Sequence, residues 1–207
     1  MMHNKPTTPI VYIVDDEYAV RDSLKLLIET TGYTVIDFES AEAFLDHYTP
    51  DQPSCLLLDV RMPSMSGLDL QEELIKRGIE IPIIFISGHA DVPDSAKAFR
   101  AGAVDFLEKP FNEEVLLSRI EEALSKDAQI REQLREKNKI LERLNHLTTR
   151  EREVLNLIVR SHSNKEAARI LDISNRTIDV HRAHIMEKMQ AENLAELMVM
   201  AMQCDLL

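Results

Sequence analysis

Five short apolar runs mark the first half of the chain, and segments of mixed polarity separate them. The runs are "IVYIV" (10–14), "YTVIDF" (33–38), "CLLLD" (55–59), "IPIIFIS" (81–87) and "AVDFLE" (103–108), rich in Val, Ile, Leu and Phe as strands are. The intervening segments repeat at helical spacing. Val20, Leu24, Leu27, Ile28 and Thr31 share one face before Gly32, and Leu68, Leu70, Leu74 and Ile75 occupy another that ends at Gly78. Strand and helix in alternation predict an α/β domain: a parallel sheet with right-handed crossovers and helices on both faces.

From Asn112 to about Leu147 the pattern is helical with few breakers. Ile130, Leu134, Leu141 and Leu144 stand at heptad-like spacing, interrupted by Asp127 and Lys137, so the segment reads either as a coiled-coil seam or as a solvated spacer helix. Beyond it the strand signal ends. "TTRE" (148–151) and "SNKE" (163–166) match the capping box, and "NLAE" (193–196) is a looser third case. Helices are predicted over about 149–160, 164–171, 175–189 and 192–203. Only "DIS" joins the middle pair, and Ala167 and Ala168 are small enough for a close crossing, which is a helix-turn-helix. The expected division is 8–125, a helical linker 126–146, and an all-α four-helix domain 147–207.

Length and composition agree with two soluble globular domains: 207 residues, 44% hydrophobic and 29% charged. The start "MMHNKPTTP" lacks the apolar core of a secretory signal, and no apolar stretch approaches a membrane span, so a cytoplasmic location without a membrane partner is expected. Cys55 falls in a predicted strand and Cys204 near the other end, which argues for buried thiols rather than a disulfide. A net charge of -12, if evenly spread, would repel polyphosphate. Residues 147–207, however, carry 8 Lys+Arg against 9 Asp+Glu, so nearly all the excess acid lies in residues 1–146.

The candidate chemistry lies where the runs end. Asp59 closes a run that a sheet would bury on both faces, and Asp15 and Asp16 close another, so all three reach the C-terminal edge of a parallel sheet. Each acid alone could begin a turn or cap a helix. Three together are costly without a cation, and hard oxygens suit Mg²⁺. Ser87 and Lys109 end two further runs at the same edge and bring a hydroxyl and an ammonium. Pro110 could take the cis form and turn Lys109 inward, although most such bonds are trans. This set suits a phosphoryl group, with a carboxylate able to accept it as an aspartyl phosphate.

The motifs resemble the receiver domain of two-component response regulators over about residues 8–125. "VDD" (14–16), "LLLDVRMPSMSG" (56–67), "ISGHAD" (86–91) and "DFLEKPF" (105–111) follow in the family's order. "LTTREREVLNLI", "SNKEAARIL" and "RTIDVHRAHIMEKM" are similar to the LuxR/NarL-type DNA-binding domain, and the two halves together resemble the FixJ/TtrR-like subgroup. The resemblance implies a flavodoxin-like five-stranded parallel-sheet receiver, a long linker helix and a helix-turn-helix domain. It implies Asp59 as phosphoacceptor, and Mg²⁺ held by Asp15, Asp16, Asp59 and the Arg61 backbone carbonyl. It places Lys109 on the phosphoryl oxygens, Ser87 closing on the phosphate and Phe106 moving inward as the switch. The implied partners are a sensor histidine kinase, double-stranded promoter DNA and a second copy on phosphorylation. His89 and Arg61, beside the acyl phosphate, are expected to tune its lifetime.

In the predicted recognition helix Arg176, Asp179, Val180 and Ala183 share one face, with Thr177 near the helix start, while Ile178, Ile185 and Met189 share another that can pack inward. Lys165, Arg176 and Arg182 could rest on phosphates, as could His181 or His184, whose simpler role is packing. Asp179 would repel phosphate but could accept from a cytosine amino group. Two features depart from the family: Ser161 stands where Gly is common, and the near-neutral charge of the domain makes dimerisation more necessary for tight binding. An aspartyl-phosphate phosphatase is the enzyme rival; those resembling the haloacid dehalogenase family have a second Asp where this chain has Arg61, so no enzyme is expected. The other rival is a regulator that binds DNA whether phosphorylated or not.

Overall fold

A computed structural model describes residues 8–49, 52–88 and 92–204. The strands are Ile10–Val14 (β1), Thr34–Phe38 (β2), Ser54–Asp59 (β3), Ile83–Ser87 (β4) and Asp105–Glu108 (β5). The helices of the first part are Tyr18–Glu29 (α1), Ala41–His47 (α2), Gly67–Lys76 (α3) and Val92–Arg100 (α4), followed by Glu113–Asn145 (α5). Thr149–Val159 (α6), Asn164–Leu171 (α7), Asn175–Met189 (α8) and Leu194–Gln203 (α9) follow. The chain divides into two compact units, Met1–Arg131 and Glu132–Leu207.

In the first unit all strands are parallel in the order β2-β1-β3-β4-β5, the flavodoxin-like arrangement. Period-two alternation sorts each central strand between two cores. Ile10, Tyr12 and Val14 of β1, Leu56 and Leu58 of β3, and Ile83 and Phe85 of β4 pack with α2, α3 and α4. Val11, Ile13, Cys55, Leu57, Ile84 and Ile86 pack with α1 and α5 on the other side. Burial on both faces is why these strands read as continuous apolar runs. β4 begins at Ile83 rather than 81 because Pro82 has no N–H to give a ladder; its carbonyl accepts from Leu56 N at 2.9 Å. Neither cysteine forms a disulfide, and burial, with the charge of Asp127 added, pushes the Cys55 thiol well up.

α5 is one 33-residue helix running through the expected linker. Its N-terminal part gives Leu116, Ile120, Ala123 and Leu124 to the first unit, and Ile140 and Leu144 belong to the core of the second. Asp127, which interrupts the heptad pattern, is not a solvated break. It is buried, accepting from Ser54 N at 2.8 Å and from Arg131 Nε, and so ties the helix to the start of β3. Leu134 and Leu141 remain exposed.

In the second unit both capping boxes form, Thr148 with Glu151 and Ser163 with Glu166. Asn193 caps α9 at Glu196 N, while the Glu196 carboxylate accepts from Glu192 N instead of closing a box, and the helix starts at Leu194. Ala167 and Ala168 are buried as the crossing helices require, and Ile178, Ile185 and Met189 turn inward. Ser161 has φ 63°, the left-handed conformation that glycine adopts freely, so the turn keeps its form at a backbone cost of about 1–2 kcal/mol.

Glu151 joins α6 to α8. It is 3% exposed, caps Thr148 N at 2.8 Å and accepts from Lys188 Nζ at 2.6 Å. Burial works to raise its pKa, but Lys188 and the two Thr148 bonds outweigh that and hold it at about 2. A carboxyl depressed on folding stabilises above its ordinary pKa and loses that stabilisation as pH falls toward the depressed value. The full linkage is about 3 kcal/mol; Lys188 is one-third exposed, so screening brings it to about 1–2 kcal/mol. Glu151→Gln should therefore lower the melting temperature of the second unit at pH 7, and the gap to wild type should shrink between about pH 4.5 and 2. Parallel melting curves at both ends of that range would refute this.

Candidate phosphoacceptor site and nucleic-acid interface

In the order β2-β1-β3-β4-β5 the chain reverses its direction of travel between β1 and β3, and a crevice opens there at the C-terminal edge. Asp15, directly after β1, and Asp59, the last residue of β3, line that crevice and are both buried. Lys109, directly after β5, reaches both: its Nζ lies 2.8 Å from Asp15 Oδ2 and 3.0 Å from Asp59 Oδ1. Backbone donors hold the remaining oxygens, Glu17 N on Asp15 Oδ1 at 2.9 Å and Arg61 N on Asp59 Oδ2 at 2.7 Å. The Lys109–Pro110 bond is cis.

Burial is the largest influence on Asp59 and raises its pKa; Lys109 and Arg61 N oppose it, the Asp15 charge adds to it, and the net shift is upward. For Lys109 burial works downward, but hydrogen bonds and charge from Asp15 and Asp59 win and raise it. The ammonium is therefore firmly charged, and Asp59 is a carboxylate held in a setting that favours neutralisation. Attachment of a phosphoryl group places that charge beside Lys109, which is already in reach.

Ser87 is buried at the end of β4, and its carbonyl accepts from Lys109 N at 2.7 Å. Phe106 is half-buried on β5, stacked on Phe85 with centroids 6.0 Å apart. Asp16 is exposed. Among the described residues no group of three or more His, Cys, Asp or Glu side chains is close enough to hold a metal ion, because Lys109 bridges the two inner acids and the third stays outside. The donor chemistry suits a hard divalent cation all the same, with two buried carboxylates sharing one ammonium. Arg61 is exposed, and His89 lies outside the described residues.

One residue of this site escapes the sequence reading. Arg21 is buried in α1, with Nη1 on the Asp15 carbonyl at 2.8 Å and Nε 3.3 Å from Asp37 Oδ2. It braces the loop that carries Asp15. The available signal was an arginine three residues before Leu24 and seven before Ile28, on the buried stripe of the helix.

On α8, Arg176, Asp179, Val180 and Ala183 are exposed together, and Lys165 is exposed on α7. Thr177 is half-buried and its hydroxyl is bound to the cap, Ser174 Oγ, at 2.8 Å. Arg182 and Asp179 are both engaged by Asn164, which the sequence reading also passed over. His184 Nδ1 lies 3.7 Å from Glu151 Oε1, and His181 Nδ1 is buried without a partner.

Comparison with known proteins agrees with both halves. Residues 11–121 match the response regulator receiver domain and residues 145–201 the bacterial regulatory proteins of the luxR family. The response regulator protein TodT of Pseudomonas putida is 44% identical over 95% of this chain and 87% of its own. The transcriptional regulatory protein FixJ of Rhizobium meliloti is 45% identical over 93% of this chain and 94% of its own. Among solved structures the response regulator StyR aligns with a TM-score of 0.87 at 41% identity, over 95% of this chain and all of that one. Full-length FixJ from B. japonicum aligns at 0.58 and 40%, over 97% of this chain and all of that one. No described helix is long and apolar enough to cross a membrane. A crevice with Asp15, Asp59 and Lys109 at its floor, a helix-turn-helix behind it in the chain and this similarity from end to end have one reading: the chain belongs to the FixJ-type two-component response regulators, with a receiver domain and a LuxR-type DNA-binding domain.

Proposed function

We propose that Asp59 accepts a phosphoryl group from a sensor histidine kinase and that the phosphorylated chain binds promoter DNA as a homodimer. The observation that carries this reading is the Asp15–Lys109–Asp59 bridge, which places one buried carboxylate within 3.0 Å of an ammonium at a crevice open to a donor. A carboxylate oxygen of Asp59 forms the new bond to phosphorus as the bond from phosphorus to the kinase histidine nitrogen breaks. Lys109 leaves its carboxylate partners for the phosphoryl oxygens, and the Ser87 hydroxyl donates to the same group. Asp15, Asp16, Asp59 and the Arg61 carbonyl would hold Mg²⁺, which would supply neutralising charge for the transfer. Movement of Ser87 lets Phe106 turn inward from its place on Phe85.

The face of α4, β5 and α5 beside Phe106 supports the dimer. Phe99 of α4 and Val115 of α5 are exposed, and Arg119 of α5 pairs with Asp105 of β5 at 2.8 Å. Two copies joined through it bring two α8 helices to adjacent half-sites, and their combined contacts offset the near-neutral charge of each DNA-binding domain. In sedimentation the mass of the chain should double on adding beryllofluoride with Mg²⁺, and Phe99→Asp should prevent the doubling. An unchanged wild-type mass would remove the dimer step.

A further inference from the structure

Asn164, the first residue of α7, touches two side chains of α8. Its Nδ2 donates to Asp179 Oδ1 at 2.6 Å, and Arg182 Nη1 donates to its Oδ1 at 2.8 Å. Chemistry fixes the orientation of the amide: a guanidinium only donates and a carboxylate only accepts, so the carbonyl must face Arg182 and the NH₂ group Asp179. Asp179 and Arg182 stand three residues apart on one helix, the spacing at which opposite charges pair directly. The amide stands between them instead. Asp179 Oδ2 is thereby left without a partner among the described residues, on the surface that also exposes Arg176, Val180 and Ala183.

An acid on this surface lowers affinity for every phosphate it approaches. It is offset only where a base presents a donor with no acceptor beside it. In the major groove that base is cytosine, whose N4 amino group stands alone, whereas the adenine N6 amino group has the N7 acceptor next to it. Holding the carboxylate at one height on the helix turns this repulsion into discrimination, because a carboxylate free to swing would settle on Arg182.

We propose that Asn164, Asp179 and Arg182 form one cytosine-reading unit, in which Asp179 Oδ2 accepts from cytosine N4, Asn164 is the positioning residue that fixes the carboxylate, and Arg182, kept off Asp179 by the same amide, rests on a phosphate. The proposal depends on the reading of α8 as the helix that enters the groove.

The test is selection from a random-sequence duplex library by the full chain with beryllofluoride and Mg²⁺, for wild type and variants. The wild type should enrich cytosine at one position of each half-site, by roughly five- to a hundredfold. Asp179→Asn should move that position to adenine, which an amide matches at N6 and N7. Asn164→Ala should flatten the same position and leave its neighbours enriched, an outcome a merely structural role does not give, since loss of packing weakens all positions alike. Arg182→Ala should weaken all sequences evenly and lower the salt slope by about one. Cytosine enrichment that survives Asp179→Asn, or Asn164→Ala, overturns the unit. If the wild type enriches no sequence at all, the recognition role of α8 itself is overturned, and the unit with it.

Discussion

Gly67→Ala is expected to slow phosphorylation of Asp59 about a hundredfold and to destabilise the receiver domain by about 1–3 kcal/mol. Gly67 opens α3 directly beneath the phosphoacceptor, with its N–H on the Val60 carbonyl at 3.0 Å. A Cβ at this position would lie 2.1 Å from the Asp59 carbonyl oxygen and 3.1 Å from its carbonyl carbon. Both are backbone atoms, so no side-chain rotation relieves the clash. Either α3 retreats, breaking the capping box of Ser66 and Asp69, or the end of β3 moves and carries the Asp59 carboxylate away from Lys109. The first route lowers stability and the second lowers reactivity. Thermal melting together with phosphorylation by a small phosphodonor reads both, and an alanine variant that matches wild type in each would show that the crevice floor is softer than its packing indicates.

The same residues show what could be read from sequence and what could not. The apolar runs located every strand, most sharply β1, β3 and β4, where burial on both faces leaves no polar position to blur them; edges shifted by one or two residues, at β4 because Pro82 has no N–H to give a ladder. Capping boxes located α6 and α7 because their signal lies within four consecutive residues. Asp15, Asp59 and Lys109 were legible as strand ends, and the fold brings those three together. Asp16 was grouped with them as the neighbour of Asp15 at the same sheet edge and by its resemblance to the receiver motif "VDD"; its side chain is exposed, while that of Asp15 is buried. Gly67 was visible only as the last residue of the "LLLDVRMPSMSG" motif, since nothing in the chain shows which backbone it will meet.

The residues that escaped were the ones whose partners lie far along the chain. Arg21 meets Asp37, and Asn164 meets Asp179 and Arg182, and no local pattern marks any of these pairs. Asp127 is the opposite case. A pattern was visible there, an acid in a heptad seam, but its meaning depends on Ser54, which lies 73 residues earlier. The helix that looked like a spacer is built into two cores through such contacts.

Asp59→Asn is expected to abolish phosphorylation and, in the same molecule, to raise the melting temperature in metal-free buffer at pH 7. The amide has no anionic oxygen with which to form the bond to phosphorus, so a small phosphodonor with Mg²⁺ should shift wild type on a phosphate-affinity gel and leave the variant in place. The stability change follows from the upward shift of Asp59. A carboxyl whose pKa rises on folding binds its proton more tightly when folded, so its ionised form costs stability at every pH above the raised value. The cost disappears as pH falls below the ordinary carboxylate pKa, where wild type is neutral in both states. Asparagine removes the buried charge and its repulsion from Asp15; it surrenders the bond from Arg61 N, a smaller loss than the desolvation that dominates the shift. The variant should therefore melt higher than wild type at pH 7, and the gap should close toward pH 3. A gel shift in both proteins would move the phosphoacceptor elsewhere. A variant that binds promoter DNA as tightly as phosphorylated wild type would make binding independent of phosphate, and a variant that melts lower at pH 7 would mean that Lys109, with Asp15 alone to hold it, needs the second carboxylate more than the crevice is strained by it.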